Sequence, residues 1–137
     1  MIFDVETLLL ARLAAKCAPG SLLLGTFDPI DLTDDSSHPV AGQILLLQIQ
    51  HASDVRGCAA SVLLQYGFSV YCDVARASGA QKTAAAALFN DASNALVAWE
   101  YAPMRHPQIT DGQATGFDGR ILRLSFGFAL PAYFGQP

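Results

Sequence analysis

"RILRLSFGFAL", residues 120–130, alternates apolar with small or polar residues almost without a break. Leu122, Leu124, Phe126, Phe128 and Leu130 point one way, and Arg123, Ser125, Gly127 and Ala129 point the other. That is the period of a strand with one well-buried face. The pattern predicts that this strand completes a core sheet, pairing with another long strand and packing on a helix.

Two further segments carry strand periodicity. "YGFSVYCDV", 66–74, sets Tyr66, Phe68, Val70, Cys72 and Val74 against Gly67, Ser69, Tyr71 and Asp73. It ends a run from Cys58 to Ala75 that is too long for one simple strand unless bent, and Gly67 is the expected bend or bulge. "QILLLQIQ", 43–50, reads as a strand with Leu45, Leu47 and Ile49 on one face and Ile44 and Leu46 partly buried on the other. "HASDVRG", 51–57, between these runs, suits a hairpin connection.

Two helices frame the strands. Residues Asp4 to Cys17 place Val5, Leu8, Leu9 and Leu13 on one stripe, with Asp4 as the cap, Glu6 in the first turn and Arg12 and Lys16 in the last. Pro19 and Gly20 stop this helix. The second, Lys82 to Trp99, carries Leu88, Ala92, Ala95, Leu96 and Trp99 at spacings of three and four, with Asn90, Asp91 and Asn94 on the wet side. Its run of four alanines favours helix and close approach to a sheet. "SLLLGTF", 21–27, is a strand or an extended entry segment, and residues 28–39 are turn chemistry. Residues 100–119 lack a sustained period, although part of them suits a loose hairpin with the final strand. Pro131 is expected to end that strand. Adjacent strands joined by short turns imply an α+β fold: a mainly antiparallel sheet with an N-terminal helix and an Ala-rich second helix packed on one face.

The totals narrow the function. At 137 residues the chain has the length of a single domain, spanning 1–137, and can bury a core without staples. Only 15% of residues are charged against 52% hydrophobic, which leaves little polar material to cover the outside. Net charge is −4 and the eight basic residues are scattered, so no cluster exists to neutralise phosphates. Three cysteines, Cys17, Cys58 and Cys72, form no CxxC pair, and the odd count suits free thiols in a reducing compartment. The N-terminal stretch has Asp4 and Glu6 in place of a basic region, and no 18-residue apolar run occurs, so the chain reads as cytosolic and soluble without a membrane partner.

A search for chemistry comes back empty. His38, His51 and His106 share no metal-ligand spacing, and Cys72 sits on an apolar face. Cys58 and His51 flank one loop without a third group to orient them. Asp28, Asp31, Asp34 and Asp35 lack the glycine and closing glutamate of a calcium loop. No glycine-rich phosphate cradle or nucleophile elbow is present. The sequence therefore predicts no catalytic residues, no metal and no cofactor: not an enzyme.

The succession "VETLLLARL", "QILLLQIQ", "YGFSVYCDVA", "AAAALFNDASNALVAWEY" and "RILRLSFGFALPAY" resembles the tail terminator (tail completion, minor tail) proteins of long-tailed bacteriophages and prophages, of the lambda type or Mu type. The resemblance implies structural work: a homohexameric ring that caps the tail tube and joins it to head-completion proteins, assembled in the cytoplasm and carried in the virion tail. Partners are then the chain itself, the tube protein and a head-completion protein. An acidic ring around a DNA passage lets the duplex slide rather than gripping it, so no specific nucleic-acid binding is expected. Candidate assembly contacts lie on the irregular segments: Asp54 and Arg56 in the hairpin loop, and Arg105, His106, Asp111 and Asp118 in the long loop.

Two other readings stay open. A small thioesterase-like α+β enzyme wants a polar residue beside its central helix, where Asp91 and Asn94 are available. A ligand-binding module could use Tyr66, Phe68, Phe126 and Phe128 as a pocket, although core packing explains those aromatics more simply. If Phe126 lies in the core, Phe126→Asp strands a charge there and abolishes soluble expression. A soluble, folded variant would contradict that placement.

Overall fold

A computed structural model describes residues 2–18, 21–26, 28, 39–52, 60–101 and 106–134. The elements are α1 (Ile2–Lys16), β1 (Leu23–Leu24), β2 (Val40–Ala52), β3 (Ala60–Asp73), α2 (Gly79–Val97), β4 (Gln108–Phe117) and β5 (Ile121–Phe134). The strands form one sheet in the order β1-β2-β3-β5-β4, antiparallel except for the short β1–β2 pairing. The architecture is the expected α+β one.

β3 and β5 pair along all 14 residues, from Ala60 opposite Phe134 to Asp73 opposite Ile121, without a register shift. Leu64, Tyr66, Phe68, Val70 and Cys72 thus lie across from Leu130, Phe128, Phe126, Leu124 and Leu122. Tyr66 stacks on Phe128 with ring centroids 5.5 Å apart, and Phe68 meets Phe126 at 5.6 Å. Aromatic pairs of this kind add about 0.5–1.5 kcal/mol to the area they bury. The helices cover this face, with Leu9 and Leu13 of α1 and Leu88, Phe89, Ala92 and Leu96 of α2 in the same core. Phe89 meets Phe126 edge-on, at 5.5 Å and 76°.

β2 shows its faces the other way round from the sequence expectation. Ile44 is fully buried opposite Phe68 and Leu46 faces Tyr66, whereas Leu47 is exposed. The register jumps between Leu46 and Gln48, so Leu47 is an inserted residue. The bulge returns Ile49 to the helix side, opposite Leu64. Gly67 is not itself the bend: the irregularity belongs to the neighbouring strand, whose Leu47 side chain lies over Gly67. Gly42 serves close approach, since a Cβ there would sit 3.0 Å from Phe68 Cζ.

α1 corrects a second expectation. It begins before Asp4, and Leu8 faces solvent while Glu6 is buried. Glu6 Oε1 accepts the Thr26 N–H at 2.9 Å, and Thr26 Oγ1 accepts the Leu46 N–H at 2.9 Å. Gln43 Nε2 donates to the carbonyls of Gly25 and Asp28, each at 3.1 Å. Buried polar groups are tolerated when paired in this way, and here they tie α1 to β2.

α2 starts earlier than predicted because Ser78 caps it. Ser78 Oγ accepts the Gln81 N–H and Gln81 Oε1 accepts the Ser78 N–H, a reciprocal capping box. Trp99 lies beyond its end, stacked obliquely on Tyr101. Pro131 does not end β5, which runs on to Phe134. Among the described residues β4 reaches only as far as Ala129, through Gln108, so at Pro131 a proline costs no ladder bond to β4. Residues 108–117 form β4, which pairs with β5 in the hairpin the sequence suggests, and its turn contains Gly119 at φ +99°.

Truncating Phe128, which is fully buried, should lower the free energy of unfolding by about 3–5 kcal/mol. The exposed Phe117→Ala should stay within about 0.5 kcal/mol of the parent. Denaturant titration of both variants checks the assignment of faces.

Candidate functional site

Three of the six residues expected to make contacts are among the described residues, and they lie at different points before, along and after β4. Asp54, Arg56 and Arg105 lie outside the described residues. His106 is exposed, with Nε2 3.9 Å from a Glu100 carboxylate oxygen. Asp111 is in β4 opposite Gly127, between two register shifts. Asp118 shapes the β4–β5 turn: its Oδ1 accepts the N–H groups of Arg120 at 2.9 Å and Ile121 at 2.7 Å. Those backbone donors, Ile121 first, hold its carboxyl below the usual carboxylate range.

The strongest buried electrostatic feature was not foreseen. Asp73, at the end of β3, is completely buried, and its Oδ2 accepts from Arg120 Nε at 2.9 Å and Nη2 at 2.7 Å. Arg76 Nη1 stands 3.8 Å from the same oxygen. The Asp73 main chain donates to the Pro39 carbonyl and accepts the Arg76 and Ala77 N–H groups. One residue thus fastens the start of β2, the turn into α2 and the β4–β5 hairpin. The Arg120 hydrogen bonds, opposed by burial, keep the Asp73 carboxyl below its ordinary value. In sequence it was simply the polar member of an alternating strand.

Chemistry at the remaining reactive groups is muted. Cys17 and Cys72 are buried free thiols, and burial pushes both above the ordinary thiol range, away from the thiolate that a nucleophile needs. Cys58 lies outside the described residues. Cys72 lines a cavity of about 150 Å³ between α2 and the sheet, walled by Val70, Val74, Ala85, Leu122 and Leu124 with Lys82 also at its lining. Asp91 and Asn94 line an open groove with Arg12 and Lys16 of α1. Tyr66, Phe68, Phe126 and Phe128 pack into the core. Among the described residues no group of three or more His, Cys, Asp or Glu could hold a metal ion, and no helix is long and apolar enough to cross a membrane.

What the surface does offer is apolar sheet margin. Phe117 is 60% exposed and Ile109 43%, both on β4, while Leu47 is 62% and Ile49 38% exposed on β2. These residues sit at opposite sides of the sheet. Sequence reading passed over Phe117 and Ile109 because their segment has no clean alternation to mark it as a strand.

The fold has known counterparts. A chain of the virion of a native gene transfer agent particle matches with a TM-score of 0.57 and 16% identity, over 92% of each chain. A second match, with a TM-score of 0.55 and 17% identity, is the sheath/tube terminator of an extracellular contractile injection system, PVC, in its extended state. The chain shares its fold with a sheath/tube terminator. The match takes in 99% of this chain but 57% of that terminator, so the chain spans little more than half its length. No protein-family model matches the sequence, and no curated relative matches it. The likeness of fold agrees with the resemblance to tail terminators.

Acid should expose the role of Asp73. A carboxyl whose folded pKa is depressed stabilises fully above its unfolded value, here 3.8, and that stability drains away as the pH falls through the folded value. The denaturant midpoint should therefore fall between about pH 5 and 2, and less steeply in Asp73→Asn. Parallel slopes in the two proteins would remove Asp73 from the account.

Proposed function

We propose that the chain is a structural tail terminator, a ring-forming protein that caps a tail tube and presents its other face to head-completion proteins. The observation that carries this reading is the terminator fold, matched across almost the whole chain. The sequence layout leads to the same family independently. Buried thiols of raised pKa and core-packed aromatics support structural work rather than catalysis.

A ring of about six copies suits the reading, because closed cyclic symmetry is how a single chain matches a tube end. The low charge content leaves apolar surface for neighbours. The acidic balance and scattered basic residues suit an annulus through which DNA slides. Asp54, Arg56, Arg105, His106, Asp111 and Asp118 are the proposed contacts to adjacent rings.

The test has two parts. Light scattering across a concentration series, with negative-stain images of the heaviest fraction, should give closed rings of about six subunits. Added to polymerising tail tubes, the protein should then arrest elongation and remain bound at tube ends. Tubes that grow unchanged in its presence would refute the terminator role.

A further inference from the structure

We infer that the outer edge of β4 pairs with the end of β2 that has no strand partner on its outer side among the described residues, on a second copy of this chain, so that one sheet continues from subunit to subunit. The inference rests on the ring reading above, from which it takes only that copies associate head to tail.

The geometry starts at the hairpin. The Asp118 N–H donates to the Ile121 carbonyl, which makes 118 and 121 the hydrogen-bonded pair. In an antiparallel ladder such pairs alternate with non-bonded ones. Phe117 opposite Leu122 and Thr115 opposite Leu124 are then non-bonded pairs. Their N–H and C=O groups point away from β5, toward the outside of the sheet. Across the sheet, Gly42 N–H donates outward to Leu22 and Leu46 N–H outward to Thr26. Among the described residues β1 pairs with only Gly42 and Gln43. Continuing the alternation past the bulge puts Ile49, opposite Leu64, in the same outward phase.

Both edges are poor in the charges and prolines that guard exposed strands, while each carries at least one register shift. β2 contains no Asp, Glu, Lys, Arg or Pro, and β4 contains one charge, Asp111. An edge of this kind is a template for another strand unless something covers it. The match to a second copy is directional. β2, β3, β5 and β4 alternate in direction, so β2 and β4 run opposite ways. Set side by side in a continued sheet they are antiparallel, the pairing already used by their inner edges. The side chains agree: Ile109 and Phe117 lie opposite Phe128 and Leu122, and Ile49 lies opposite Leu64, all on the helix-bearing face. Each subunit thus carries one edge of each kind, which makes the contact heterologous and able to close into a ring.

The test uses two variants of the full chain. Thr115→Pro removes an outward donor while leaving the β4–β5 ladder intact, and Ile49→Lys places a charge on the outer side of β2 beyond the bulge. Each should keep the parent's circular dichroism and melting profile and behave as a monomer at concentrations where the parent assembles. Mixed in equal amounts, each supplies the edge the other lacks, so 1:1 dimers and nothing larger should form by light scattering. If the parent assembles and either folded variant does too, the edge pairing is wrong and the ring reading survives. Failure of the mixture to dimerise also overturns it. A parent that stays monomeric throughout the series overturns the edge pairing as a mode of self-association, while tube-end capping still decides the terminator role separately.

Discussion

The unbroken pairing of β3 with β5 is the constraint on which everything else depends. Its 14 opposed residues set two rows of side chains in fixed phase, and one row supplies Tyr66, Phe68, Phe126 and Phe128 to the core. A slip of β5 by one residue against β3 would turn its row over and put Phe126 and Phe128 on the face away from the helices. β2 can tolerate a bulge because it reads its register from β3. β4 can tolerate two irregularities because it borrows order from β5. The helices need only offer small and apolar residues to a surface whose shape is already decided.

At the end of this ladder sits Asp73, where the cost of burying a carboxylate is offset by Arg120 and by the backbone N–H groups of Ala75 and Arg76. Its contacts reach three segments that are remote from one another in sequence. The fold is therefore fastened at one end by charge and through its middle by aromatic packing. The junction of α1 with β2 is held differently again, by Glu6, Thr26 and Gln43 in neutral or singly charged hydrogen bonds.

The parts legible in the sequence were those where one period governs a whole element. β5 and the second half of β3 alternate cleanly, and α2 has its apolar residues at helical spacing, so their buried faces could be read directly. β2 could not be read that way, because inserting Leu47 reverses the meaning of every later position. Leu8 and Glu6 exchanged places because a hydrogen bond to Thr26, distant in sequence, outweighed hydrophobic patterning. Pro131 was misjudged because its tolerance depends on where another strand stops. The candidate site was least legible of all. Charged loop residues stand out in the sequence, Asp118 also holds its own turn, and part of the exposed apolar margin lies on β4, whose irregular segment carries no strand signature.

The place of β5 in the sheet has a consequence for how the chain is made. It lies between β3 and β4 but follows both in the sequence, so a nascent chain has both helices and four strands before it has the one that unites them. Until then β4 has no described partner and the aromatic row of β3 is without its opposite half. Contacts that span so much sequence slow folding, and here they also delay it until β5 has been made. Chains cut short before residue 121 would carry an unfinished sheet and no properly formed surface, which would keep them out of any assembly built from complete copies.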